Sequence, residues 1–213
     1  MRIETQRVRD DARRILRAMI VEGELAPDMH VEEVKISAQI GASRTPVREA
    51  LIALEEEGLV RSAPRKGFVV VAPDEALVRE IYPVLTALEA MAVRMGGAAL
   101  CAAAPKLAEI NGALKREKRK ARQYALDRAF HVELCAHYVN ARLQRLLAQE
   151  RARAELVDGA GKRGMANHEG SCGEHDEIIE ALRRGATDAA AEALTRHWEG
   201  GTEVVALWLR EDR

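Results

Sequence analysis

Three histidines and an aspartate in the second half of the chain stand beside apolar neighbours. In "LDRAFHVEL", Asp127 and His131 are four residues apart. On a helix they share a face, with Phe130 and Leu134 beside them to bury it. "GEHDEIIEAL" places His175 at the start of a helix whose Ile178, Ile179 and Leu182 face a core, and "ALTRHWEG" places His197 in a last helix near Leu194 and Trp198. Imidazoles with a carboxylate suit zinc, nickel, iron or manganese, and such a set leaves open positions in an octahedral shell. By spacing alone, an i, i+4 pair and two distant histidines are more often unrelated core or surface residues, so both readings stand at this point.

A second stretch, "GASRTPVREALIALEEEGLV" from Gly41 to Val60, carries a different chemistry. Pro46 is tolerated only in a helix's first turn, so a helix starts here, with Thr45 the tidier N-cap and Ser43 the other candidate. Val47, Ala50, Leu51 and Leu54 make one buried stripe, and Gly58 fits a left-handed C′ position with Leu59 folding back on Leu54. Arg44 and Arg48 are left outside the stripe, beside free backbone amides at the positive helix end. An arginine fork can meet guanine O6 and N7, whereas hydroxyls and amides on phosphates set register.

These side chains need elements to position them. Val31, Val34, Ile36 and Ile40 mark a short helix ending at Gly41, and Val8, Ala12, Ile15, Leu16, Met19 and Ile20 mark the buried face of an earlier one. "GLVRSAPRKGFVVV" has two β-rich runs around a Pro and Gly turn, a hairpin with Arg65, Lys66 and Gly67 at its tip. Three helices and a hairpin over residues 1–72 form a winged helix-turn-helix. From 73 to 213 the apolar residues recur at helical spacing with no strand pair. Pro83 predicts a kink or restart, and breaks near Pro105, around 159–170 and at Gly185 divide this segment into about six helices, an all-α bundle. The fold class is therefore mainly α.

The totals of 33 basic and 34 acidic residues exclude a generally cationic nucleic-acid coat, so DNA affinity must come from a localised patch doubled by dimerisation. Aromatic content of 3% leaves the core to Ala, Leu, Val and Ile. Cys101, Cys135 and Cys172 lack zinc-ribbon or CxxC spacing and read as reduced thiols. No uninterrupted apolar stretch reaches spanning length and the amino end is charged, so a cytoplasmic chain with no membrane partner is expected. The run Lys115 to Lys120 reads as a solvated helix end.

"SRTPVREALIALEEEGLV" followed by "PRKGFVV" resembles the N-terminal domain of the GntR family of bacterial transcriptional regulators. The resemblance implies base contacts by Arg44 and Arg48, phosphate contacts by Ser43 and Thr45, and a wing carrying Arg65, Lys66 and Gly67. His30 and Asp28 stand where that family usually has arginine and glycine. "DRAFH" and "EHDEIIEALRRGATDAAAEALTRHW" are similar to the FCD domain of the FadR branch. By that resemblance Asp127, His131, His175 and His197 hold a divalent transition metal, zinc or nickel, beneath an effector pocket in a dimerisation domain. An arginine common on the first helix of that domain, which would help hold a carboxylate, is here Leu85.

The reading is a ligand-responsive DNA-binding regulator, a repressor by resemblance. It is expected to be a homodimer on a palindromic operator in double-stranded DNA, with a small-molecule effector for which a carboxylate is one candidate. One alternative keeps the DNA binding and makes the metal purely structural. Another is a metal-dependent hydrolase, but no HExxH, Gly-x-Ser-x-Gly or phosphate loop supplies a separate base or nucleophile, and Glu133 lies off the Asp127 and His131 face. The chain is therefore not expected to be an enzyme.

Overall fold

The computed structural model describes residues 2–65, 67–158 and 168–211. Lys66 and most of the break expected at 159–170 lie outside them. The chain forms two compact units, Met1–Pro73 and Asp74–Arg213.

The first unit contains α1 (Arg2–Val21), β1 (His30–Val31), α2 (Glu33–Ile40), α3 (Arg44–Glu56), β2 (Val60–Ala63) and β3 (Gly67–Val70). Its three-stranded sheet has the order β1-β3-β2, with His30 opposite Val69 and Val60 opposite Val70. Ala12, Leu16, Met19 and Ile20 of α1 are buried, and α1 packs chiefly on α3. Val31 belongs to a strand, not to the second helix, and Val34 is exposed, so α2 buries only Ile36 and Ser37. A two-residue strand has no periodicity of its own; only its partner β3 defines it.

The N-cap of α3 is Ser43, not Thr45, and its side chain makes no capping hydrogen bond. Pro46 therefore sits at the third helical position, still within the first turn where its missing N–H is harmless. At the other end Gly58, at φ 75°, lets the Leu59 amide donate to Leu54 O at 2.9 Å and its own amide donate to Glu55 O at 2.9 Å, a Schellman ending.

Among the described residues the second unit is a bundle of six helices: α4 (Glu75–Ala102), α5 (Ala104–Arg116), α6 (Lys120–Cys135), α7 (Ala141–Asp158), α8 (His168–Arg183) and α9 (Thr187–Glu211). Asp74 caps α4 by accepting from the Leu77 amide at 2.8 Å. Helix α4 runs unbroken through Pro83, which is exposed, so the carbonyl deprived of its partner lies where water can serve it. Its departure from helical geometry comes instead at Gly97 (φ 53°, ψ −142°), a conformation open to glycine. Length and hydropathy alone would admit α4 as a membrane span, contrary to the expectation from composition. It is the spine of the bundle, packed against α9, α7 and α6, and it carries the fully buried Glu89.

The bundle has two aliphatic layers. One gathers Val93, Leu107, Phe130, Leu134, Ile178, Leu182 and Leu194; the other gathers Ile81, Tyr82, Leu85, Leu147, Val205 and Leu209, and Trp198 touches both. Burying a side chain of this size contributes roughly 1.5–3 kcal/mol, so alanine-rich helices with few aromatics suffice to hold the polar residues between the layers.

Candidate functional site

In the first unit, the stripe Val47, Ala50, Leu51 and Leu54 is wholly buried, which leaves Ser43, Arg44, Thr45 and Arg48 exposed on the opposite side of α3. Arg48 donates to Glu33 Oε1 at 2.8 Å, and its side chain remains 61% exposed. The guanidinium is thus tethered at one edge by α2 while its other donors face outward. At the hairpin, Arg65 has φ 63° and Gly67 φ 71°, and both are exposed. An arginine in the left-handed region carries a cost of roughly 1–2 kcal/mol relative to glycine; such strain concentrates at functional turns. Asp28 also has a positive φ, 60°, which is the physical reason a glycine suits that position. Its carboxylate lies 3.4 Å from Arg61, and the His30 ring approaches Gly67 where the hairpin turn ends.

In the second unit, His131 of α6, His175 of α8 and His197 of α9 converge: one ring nitrogen from each lies within 4.8 Å of the others, and all three residues are buried. His175 is in the middle of α8 rather than at its start. Its ring stacks on Phe130 at 3.8 Å between centroids, 12° from parallel. Asp127 stands one turn before His131 on α6, with Oδ1 3.7 Å from His175 Nε2.

Each imidazole is oriented through Nδ1. His131 Nδ1 meets Glu89 Oε2 at 2.8 Å, His175 Nδ1 meets Asn111 Oδ1 at 3.2 Å, and His197 Nδ1 meets Glu174 Oε2 at 2.7 Å. The Asn111 amide donates to Cys172 O at 3.0 Å and to Asp176 Oδ1 at 2.8 Å, so its oxygen must face His175 and accept a hydrogen bond from it. With an acceptor at every Nδ1, each imidazole in its neutral form carries its lone pair on Nε2. Among the described residues, the buried His131 Nε2 has no hydrogen-bond partner. This is the arrangement of metal-binding imidazoles, whose other ring nitrogen is held by an outer carboxylate or carbonyl.

Glu89 is the hub of that outer layer. Fully buried on α4, it accepts from His131, from Trp198 Nε1 at 2.9 Å, and from Arg151 Nε and Nη2 at 3.0 and 2.7 Å. Burial pushes its carboxyl up, but His131 and Arg151 outweigh that and hold it down at about 2. A cavity of about 40 Å³ opens beside Glu89 and is lined by Asp127, His131, Arg151, Asp158 and Trp198 among others. Leu85, where an arginine was expected by resemblance, is buried and forms part of its apolar wall.

The GntR model, "Bacterial regulatory proteins, gntR family", matches residues 9–70, and the FCD domain model matches residues 80–200, more than half of the chain. The chain belongs to the GntR family, with an FCD domain. An HTH-type transcriptional regulator in an unstable DNA locus of Streptomyces ambofaciens is 30% identical over 186 residues, covering 85% of this chain and 78% of that one. The HTH-type transcriptional repressor RspR of Escherichia coli (strain K12) is 28% identical over 206 residues, 94% of this chain and 90% of that one. An HTH-type regulator of Agrobacterium vitis is 42% identical over a shorter stretch of 91 residues, 43% of this chain and 47% of its own length. Among solved structures, a GntR transcriptional regulator from Rhodococcus sp. RHA1 superposes with a TM-score of 0.74 at 26% identity, covering 95% and 97% of the two chains.

The protein is thus a ligand-responsive, DNA-binding transcriptional regulator rather than an enzyme, with the architecture of the FadR branch. Acting on bacterial DNA places it in the cytoplasm. Reasoning from sequence passed over Glu89, Asn111 and Arg151. The first two carried a signal, since each interrupts an apolar stripe: Leu85, Glu89, Val93 on α4 and Leu107, Asn111, Leu114 on α5. Arg151 carried none, because its helix has many arginines and only the tertiary fold turns this one inward.

Proposed function

We propose that this GntR-family protein is a repressor whose FCD domain holds a divalent transition metal, zinc or nickel, through Nε2 of His131, His175 and His197, with Asp127 as a fourth ligand on the cavity side. The observation that carries this reading is the convergence of three buried imidazoles, each with Nδ1 on an acceptor. The metal would supply a Lewis-acidic anchor for an oxygen or nitrogen donor of a small effector in the adjoining cavity. The bond from His131 to Glu89, and the bonds from Arg151 and Trp198 to Glu89, keep the imidazole oriented for that task. The name of the relative RspR supports repression as the direction of control.

DNA is read by the Arg44 and Arg48 face of α3 at base edges, with Ser43 and Thr45 on phosphates and Arg65, Lys66 and Gly67 at the wing. Dimerisation supplies the second recognition helix and makes the operator a palindrome. The surface for it lies on α4: Val84, Leu88, Met91 and Met95 are spaced four, three and four residues apart, the seam of a helix that pairs with another. Val84, Met91 and Met95 are 48%, 45% and 56% exposed within one chain, and a second copy would cover them.

Elemental analysis of the wild type and of His175→Ala tests the metal reading. About one transition metal per chain, lost in the variant, is expected; none in either overturns it. A metal that only staples α6, α8 and α9 is separated by a second measurement, since removing it would lower thermal stability while no small molecule changed DNA affinity.

A further inference from the structure

The two arginines on the outer face of α3 are not equivalent. Arg44 and Arg48 lie about one helical turn apart, and both are exposed. Among the described residues Arg44 has no carboxylate beside it, whereas Arg48 Nη1 donates to Glu33 Oε1 at 2.8 Å. The partners differ in setting: the Arg48 side chain is 61% exposed and that of Glu33 only 12%. Glu33 is fixed from its own side. It stands in the first turn of α2, where the helix dipole favours a carboxylate, and its carbonyl oxygen accepts from Ser37 Oγ at 2.6 Å.

An ion pair with so exposed a partner adds little stability in water. Helices α2 and α3 pack on each other without it, with Ile36 buried on the first and Val47 and Leu51 on the second. What the pair changes is the guanidinium. Held by Nη1, Arg48 keeps its Nε and Nη2 edge without a partner among the described residues. That edge carries parallel N–H groups, the arrangement that guanine O6 and N7 accept. The neighbouring carboxylate also cancels part of the charge that would draw the side chain onto a phosphate, a contact that carries no sequence information. A fork already ordered loses less rotamer freedom when it meets a base.

We propose that Glu33 is a specificity-determining residue of the DNA interface, which positions Arg48 for a guanine edge and withholds it from phosphate. The proposal rests on the reading of α3 as the base-reading helix. Glu33 is a positioning residue: it acts through Arg48 and leaves Arg44 unaltered.

The test uses the full-length protein, a duplex that it selects from random sequence, the single-base-pair variants of that duplex, and an unrelated duplex of the same length. Fluorescence anisotropy reads affinity, and its salt dependence reads phosphate contacts. In Glu33→Ala, discrimination at the base pair that depends on Arg48 should fall about tenfold. Affinity for the unrelated duplex should rise and the salt slope should steepen by about 1, as the freed guanidinium takes a phosphate. Discrimination at the base pair that depends on Arg44 should not change. Glu33→Gln keeps an acceptor for Nη1 without the charge, so it should retain most of the discrimination while binding unrelated DNA more tightly. In an Arg48→Ala background, Glu33→Ala should reduce discrimination no further. Circular dichroism checks that each variant is folded. A uniform loss on every duplex in Glu33→Ala, the result expected of a simple tie between helices, would overturn the proposal. If Arg48→Ala discriminates as well as the wild type, the base-reading assignment fails and this proposal with it; if Arg48→Ala loses discrimination and Glu33→Ala keeps it, only the role of Glu33 falls.

Discussion

Removing the guanidinium of Arg151 should be one of the most damaging single changes in the bundle. Glu89 is 0% exposed and Arg151 only 13%, and among the described residues two of the four hydrogen bonds to the Glu89 carboxylate come from that arginine. Arg151→Met keeps the aliphatic stem but leaves a buried carboxylate facing only His131 and Trp198. Breaking a buried pair from one side costs about 3–5 kcal/mol, whereas replacing both members is far milder. The double variant Glu89→Gln with Arg151→Met should therefore recover at least half of the loss. Both tryptophans, Trp198 and Trp208, lie in the second unit, so fluorescence during urea unfolding reports on that unit. With a urea slope of about 1–3 kcal/mol per molar, the midpoint should fall by roughly 1–3 M in the single variant. Measurements in chelator and with saturating zinc separate this effect from metal linkage. A loss below about 1 kcal/mol, or a double variant no better than the single one, would refute the picture of a buried ionic hub. Glu89→Gln alone should also weaken metal binding by about 10–100-fold, because it loosens the orientation of His131.

Other outcomes follow from the remaining surfaces. Arg44→Ala and Arg48→Ala should each flatten discrimination among operator variants by about 1–3 kcal/mol, while Arg65→Ala should weaken binding to all sequences alike and lower the salt slope by about 1; equal losses for all three on every sequence would remove the assignment of base readout. Met91→Glu combined with Val84→Glu should convert a dimer to a folded monomer in sedimentation equilibrium, and an unchanged mass would rule out the α4 seam. Asp158, pushed up to about 7 by burial, keeps a proton that the unfolded chain has lost above about pH 4. The stability it contributes is complete below that point and is lost as pH rises through 7. Urea midpoints of chelated protein should fall between pH 5 and pH 8, and Asp158→Asn should flatten the fall; an equally steep profile in the variant would contradict the burial argument.

Sequence alone determined what depends on local rules. The buried stripe of α3, its Gly58 ending, the hairpin around Pro64 and the helical periodicity of the second unit are properties of neighbouring residues, and they were legible without a fold. Local rules failed where a partner or solvent decided the outcome. Val31 became a strand because β3 lay beside it, Pro83 passed through α4 because it faced water, and the break moved to Gly97. Spacing could propose that Asp127, His131, His175 and His197 share a site, but spacing does not bring α6, α8 and α9 together. That depends on the packing of two aliphatic layers around α4. Tertiary structure alone also decided the outer layer: Glu89, Asn111 and Glu174 stand 42, 64 and 23 residues from the histidines they orient. It decided the role of Arg151 too, because only the fold sets that guanidinium on the buried Glu89.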